Sequence, residues 1–290
     1  MVDAQLTSGK LLAVWSPAGS PGRTTLACSI AAELTNSGKN VLIVDADTYA
    51  PSLDVYLGLN DHPAGLAAAC RLISQERFDL SQLRRLSVEL QTQSGSLTVM
   101  TGLSSSARWP EVSGQQIENL VAIARQHFDF VLLDTAANLE AETGLAQFAV
   151  QRNSVARWAV SNCDLVIAVC GSDPVSIARY LEASVSISEL KPVGQVLTLV
   201  NRLRTSVLGS SAKQQILETL SRLGQIQVSG FIPDDQPAAD AAIRGAVPMV
   251  LAKRTSQVRQ AISLFTKVQI LGQRNPLDGR LLKKPMAKLG

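Results

Sequence analysis

Ten residues, Ser16-Pro17-Ala18-Gly19-Ser20-Pro21-Gly22-Arg23-Thr24-Thr25, separate an apolar run at Leu11–Ser16 from a helical pattern that opens at Thr24. Small residues let backbone N–H groups turn inward around an anion, and a helix N-terminus adds a favourable dipole. Arg23 supplies a cation at the mouth of such a cradle, and Thr24 a hydroxyl suited to a divalent metal. The chemistry this points to is the binding of a phosphate chain. The strict pattern GxxxxGK[ST] is not met, because Pro17 stands where its first glycine belongs and Arg23 replaces its lysine. Gly19, Gly22, the cation and the Thr24-Thr25 pair survive.

Acids follow in a consistent order. Asp45 and Asp47 close the apolar run VLIVDAD, and Asp134 closes FVLLD. Carboxylates at strand ends next to a phosphate loop hold the metal shell and orient water in phosphoryl transfer. A charged strand end is common when taken singly. The order of strand, loop, Thr-Thr, helix, strand with two acids, strand with one acid is far more specific.

The elements that must position these residues alternate along the chain. Strands are expected at Leu11–Ser16, Val41–Asp47, SLTVM (96–100), Phe130–Asp134, Leu165–Cys170, Gln195–Asn201 and Val228–Ile232. Helices are expected from Thr24 to Ser37, Gln115 to Gln126, Glu142 to Val160, Pro174 to Leu190 and Ser256 to Leu271. Residues 60 to 96 read mainly as short helices and loops. Alternation of this kind implies right-handed crossovers and a mostly parallel sheet with helices on both faces. Ligands of such sheets bind beyond the carboxyl ends of the strands, where the loop and the acids lie.

Composition agrees. Hydrophobic residues make up 46% of the 290 and charged residues 18%, a balance that fits a packed α/β core and excludes a disordered chain. The formal net charge is +3, and the tail from Leu271 carries +4 of it, leaving the remainder at −1. No basic face advertises nucleic acid, so DNA is not an expected partner; Arg202, Arg204 and Lys213 read as a solvated face. Cys28, Cys70, Cys163 and Cys170 are scattered without a CxxC pair, which points to reduced, buried thiols rather than a zinc site or disulfides. The N-terminus lacks an apolar signal core and no long uncharged run is present. A cytoplasmic protein is expected.

These motifs resemble the deviant-Walker P-loop ATPases of the MinD/ParA superfamily, whose members include the pilus-assembly proteins CpaE and TadZ. The family loop SGKGGVGKTT corresponds to SPAGSPGRTT, and DTAANLE (134–140) resembles its switch II segment DSPAGIE. VLIVDADTYAPSLDVYLGL and CDLVIAVCGSDPVSIARY resemble the segments around the second strand and the later strand and helix. LVNRL and GFIPDDQPAADAAIRGAVP resemble the segments the family places at the base. The loop and the RWPE run (108–111) are most similar to CpaE-like proteins of actinobacteria. The resemblance covers residues 11 to 271 and implies a P-loop NTPase three-layer sandwich over 11–272, with an N-terminal tail at 1–10 and a basic tail at 273–290.

It also implies ATP and Mg²⁺ as ligands. Gly19, Ser20, Gly22, Arg23, Thr24 and Thr25 would hold the phosphates; Asn201, Arg202, Pro233 and Asp234 would hold the base; Thr24, Asp45 and Asp134 would serve the metal. Asp47 and Arg23 would be the catalytic pair, Asp47 orienting water. Arg204 stands where a guanine-reading motif has an acceptor, which favours adenine. The implied protein is a dimerising positioning switch with partners in a division, partitioning or pilus system. The alternative is a scaffold that acts by partner binding alone. A tyrosine-rich tail, as in the kinases of this fold, and a cysteine pair, as in its iron–sulfur carriers, are both missing. The family's signature lysine is Ala18 here, its Walker lysine is Arg23, Pro21 lacks an N–H and the switch II glycine is Asn138. ATP turnover is therefore expected to be slow or lost. The tail GRLLKKPMAKLG resembles a basic membrane anchor, but Pro285 interrupts any helix, so a solvated tail is the first reading and a peripheral membrane contact the second.

Overall fold

The computed structural model describes residues 8–19, 21–141, 151–204, 209 and 211–275. Eight strands form one sheet: β1 (Lys10–Trp15), β2 (Val41–Ala46), β3 (Val88–Gln91), β4 (Ser96–Met100), β5 (Phe130–Thr135), β6 (Leu165–Gly171), β7 (Gln195–Leu203) and β8 (Val228–Pro233). Their order across the sheet is β3-β4-β2-β5-β1-β6-β7-β8, and every pairing is parallel except that of β3 with β4. β1 lies between β5 and β6, so the chain leaves the centre of the sheet at its carboxyl end and later strands are added on either side. That reversal opens the crevice in which α/β sheets bind ligands.

Side-chain alternation along β1 divides the core in two. Leu11, Ala13 and Trp15 face one apolar cluster, while Leu12 and Val14 face the other. The first cluster is roofed by α3 (Gly65–Ser74), α4 (Leu80–Arg85), α5 (Gly114–Ala124), α6 (Ser154–Asn162), α7 (Pro174–Leu190) and α8 (Ala212–Gly224), through residues such as Leu66, Ile117, Val155, Tyr180 and Ile216. The second is covered by α1 (Arg23–Asn36), α2 (Leu53–Tyr56), α9 (Gln236–Gly245), α10 (Met249–Ala252) and α11 (Gln257–Phe265), through Ile30, Leu53, Ala242, Val250 and Ile262. The result is the three-layer sandwich expected from the alternating pattern. Both faces of β1, β2, β5 and β6 are buried, which is why these strands read as continuous apolar runs rather than alternating ones.

Two differences from the sequence expectation have local causes. β3 lies in a stretch expected to hold mainly short helices and loops: its four residues alternate between half-buried and exposed, too short a run to betray a strand. Thr92 closes the β3–β4 turn by donating its N–H to the Gly95 carbonyl at 2.8 Å. The last expected helix begins at its Ser256 cap but is α-helical only to Phe265, and Thr266–Ile270 continue as a π-type turn. The helix expected from Glu142 falls partly on residues 142–150, outside those described; its described portion is α6. Most of the basic tail at 273–290 also lies outside them, as does Ser20 of the loop.

All four cysteines are free and buried. Among the described residues no helix is long and apolar enough to cross a membrane.

Candidate functional site

The loop after β1 reaches α1 through Gly22, which takes a left-handed conformation at φ +93°. A side chain there would be strained, and its Cβ would meet the Asn201 amide nitrogen at 2.6 Å. Gly19 is likewise left-handed at φ +116°. No side chain caps α1, whose first intrahelical amide bond runs from Leu26 N–H to the Gly22 carbonyl. The amides of its opening turn therefore need an outside acceptor. Pro21, which has no N–H to offer the cradle, has its carbonyl held at 2.7 Å by the Asn201 amide at the end of β7. Asn201 thus braces the loop from across the sheet. The next residue, Arg202, is bent into the left-handed region at φ +54°, beside a break in the β7–β8 register. The Ser172 hydroxyl donates to its carbonyl at 2.7 Å and holds the bend.

Strand register brings the acids together. Asp45 on β2 lies opposite Asp134 on β5, which in turn lies opposite Val14 on β1. Asp134 is fully buried, with the Arg23 guanidinium and the Thr24 hydroxyl as its polar neighbours. Burial pushes its carboxyl upward, with Arg23 and Thr24 opposing the shift. Asp45 is pushed well above the usual carboxylate range by burial and then by Asp134, against the pull of backbone donors. Those donors occupy it: one oxygen accepts from Ser52 N–H at 2.8 Å and Leu53 N–H at 2.9 Å, the other from Asp47 N–H at 3.2 Å. The chain can pass over Asp45 only because residue 102 is glycine, whose Cβ would lie 2.8 Å from the Asp45 carboxyl carbon.

Arg23 reaches back from the first turn of α1 into this acidic pair. One Nη donates to Asp47 at 2.5 Å, the other to the Ser16 hydroxyl at 3.2 Å, and Nε lies 3.4 Å from an Asp134 oxygen. Its side chain is only 15% exposed, so the guanidinium is an internal counter-ion to these acids. The second Asp47 oxygen accepts from Tyr49 N–H at 2.8 Å and Ala50 N–H at 2.9 Å. The Thr24 hydroxyl contacts the Ser52 hydroxyl at 3.1 Å.

Two parts of a ligand site are therefore adjacent. Thr24 and the buried carboxylate of Asp134 are oxygen donors of the kind a hard divalent cation takes, and such a cation needs few protein ligands when phosphates supply the rest. Among the described residues no cluster of three or more His, Cys, Asp or Glu could hold a metal ion. Beside Gly22 and Thr25 opens a cavity of about 230 Å³, to which Asn201, Arg202, Pro233 and Asp234 also contribute. Of the residues expected at the phosphates, Gly22 and Thr25 line this cavity together with the four expected at the base. Asp234 is drawn to one side by Arg204, at 2.8 Å. Ser52 and Gly102 touch these residues and escaped sequence reasoning, because they do so through contacts between distant segments or through backbone, with no motif of their own.

A parallel sheet with helices on both faces, a glycine loop opening α1 at the reversal of strand order, and strand-end acids beside it define a P-loop α/β nucleotide-binding protein. The profile of the CobQ/CobB/MinD/ParA nucleotide binding domain matches residues 12–249, and the chain belongs to that family. The septum site-determining protein MinD of Bacillus subtilis is 26% identical over 281 residues, covering 93% of this chain and 92% of its own. Among solved structures, a ParA family ATPase from Chlorobium tepidum superposes with a TM-score of 0.73 at 21% identity, covering 89% of this chain and 99% of that one. MinD from Pyrococcus horikoshii, solved in complex with Mg-ADP, superposes with a TM-score of 0.66 at 17% identity, covering 95% and 100%.

Proposed function

We propose that the protein binds ATP with Mg²⁺ and acts as a positioning or partitioning switch of the MinD/ParA kind, with hydrolysis weak or lost. The observation that supports this reading is the adjacency of the left-handed Gly22, the uncapped start of α1 and a cavity that Gly22 and Thr25 share with Asn201, Arg202, Pro233 and Asp234. Gly19, Ser20, Gly22, Arg23, Thr24 and Thr25 would take the phosphates. Asn201, Arg202, Pro233 and Asp234 would take the adenine end. Bound Mg²⁺ would neutralise phosphate charge, with Thr24 and Asp134 as its nearest protein ligands and Asp45 fixing the backbone around it. The Mg-ADP complex of the P. horikoshii relative supports this ligand class.

Weak hydrolysis follows from the ion pairs. Asp47, the candidate for orienting water, has one oxygen on Arg23 and the other on two backbone amides. Arg23 is shared with the acids instead of being free for the transferring phosphoryl group. Ala18 offers no cation at all. Losing one such cation commonly costs about a thousandfold in rate. Homodimerisation, protein partners in a division or pilus system, a CpaE-like placement within the superfamily and a peripheral membrane contact belong to the same proposal. The kinship to MinD supports its general outline.

The closed Arg23–Asp47–Asp134 cluster also favours a second reading, a scaffold that needs no nucleotide. Calorimetric titration with ATP and Mg²⁺, followed by light scattering, separates the two. Reversible binding that changes the oligomeric state supports the switch, and an absence of binding supports the scaffold. Phosphate release at rates ordinary for this family, abolished by Arg23→Ala, would refute the slow-turnover view.

A further inference from the structure

The loop has a second arginine beside it, contributed by a different element. Arg179 projects from α7, and a Cβ placed on Gly19 would lie 2.7 Å from one of its Nη atoms. Its guanidinium therefore packs against the left-handed turn of the phosphate loop. Arg179 makes no hydrogen bond or ion pair among the described residues, although Glu140 and Glu182 line the same cavity of about 450 Å³. Arg179 pairs with neither carboxylate among the described residues and lies instead against the loop at Gly19.

The element that carries it is anchored. The neighbouring Tyr180 is 1% exposed, with its hydroxyl 2.9 Å from that of Thr198 on β7, and Ile177 packs into the core. Asp173 caps the helix by accepting from Val175 and Ser176 N–H. The backbone of Arg179 is thus fixed relative to the loop, and only its own torsions need to settle for it to meet a ligand.

Charge balance gives the position its meaning. A nucleoside triphosphate brings several negative charges, and Arg23 already serves Asp47 and Asp134. We infer that Arg179 is a phosphate-binding residue: α7 supplies, from within the same chain, a second cation for the terminal phosphates beside Arg23, which is shared with two acids. This rests on the nucleotide-binding reading above. The ligand class is a nucleoside di- or triphosphate, recognised by its terminal phosphates rather than its base.

The test is calorimetric titration of the full-length protein with ATP, ADP and AMP in the presence of Mg²⁺, for wild type, Arg179→Ala and Arg179→Lys. A charged hydrogen bond of ordinary strength predicts that Arg179→Ala weakens ATP and ADP about tenfold or more. AMP should bind within about twofold of wild type, and Arg179→Lys should recover part of the loss. Because Arg179 is exposed, the circular dichroism and melting temperature of the variants should match wild type. If Arg179→Ala did not fold as wild type, Arg179→Lys and the salt dependence of ATP binding by wild type would carry the comparison. Wild type binding ATP with Arg179→Ala binding it equally well overturns this inference and leaves the parent reading intact. Wild type binding no nucleotide overturns both.

Discussion

Arg23 lies between Asp47 and Asp134, two carboxylates that are themselves only 4% and 1% exposed. Removing one partner from a buried charge cluster leaves the others uncompensated, which costs about 3 kcal/mol. Arg23→Ala should therefore lower the urea midpoint by a corresponding amount as well as weakening nucleotide binding. Adding Asp134→Asn should recover part of the lost stability, because it removes an orphaned charge. A double-mutant cycle that is additive would show that the cluster is not coupled. Gly22→Ala tests the turn: the left-handed backbone and the contact with Asn201 together predict destabilisation of about 1–2 kcal/mol, read by chemical unfolding, with loss of nucleotide binding. At this scale the sequence was informative for the residues that belong to motifs. Gly22 opens α1 in a left-handed turn, and Thr24 and Asp134 meet at the ends of elements that their spacing places there. It was silent on how Arg23 is used, since whether a cation faces phosphate or carboxylate depends on charges brought in by β2 and β5.

The elements show the same division. Strands buried on both faces, such as β2 and β5, were legible because their apolar runs are unbroken and end in acids. β3 was not, because an edge strand of four residues has neither a run nor a clear period. The change from α-helix to π-turn after Phe265 was equally hidden, since one amphipathic pattern spans both. Local capping, by contrast, is written in the chain. Ser113 accepts from Gln116 N–H while the Gln116 side chain accepts from Ser113 N–H at 2.8 Å, a reciprocal box at the start of α5. Ser113→Ala should cost about 1 kcal/mol in chemical unfolding and leave ATP affinity unchanged, because α5 packs against α3 and α6 away from the loop. A change in affinity would mean that α5 communicates with the site.

For the whole molecule, the buried cysteines give a reading of integrity. Burial pushes the thiols of Cys70, Cys163 and Cys170 up to about 12, and Cys28 is also raised, by burial and by Asp134 and Asp45. Unfolded thiols titrate near 8.5, so the folded state holds protons that the unfolded chain releases above that pH. Stability should be unaffected by these groups below about pH 8.5 and fall as pH rises beyond it. A chromogenic disulfide reagent at pH 8 should label no thiol of the native protein and four after denaturation, and rapid native labelling would contradict the packing.

The two margins of the sheet carry a last consequence. One is β3, four residues long, whose Glu89 side chain accepts hydrogen bonds from the Ser96 and Thr98 hydroxyls of β4. The other is β8, where the pairing with β7 slips twice and the strand ends in Pro233. Neither offers a long, regular row of backbone groups to a newcomer, so lateral polymerisation by strand addition is discouraged at both sides. Copies of this chain that associate are thereby steered toward helix surfaces or the loop-bearing rim, where any ligand held between β1 and α1 would sense their approach.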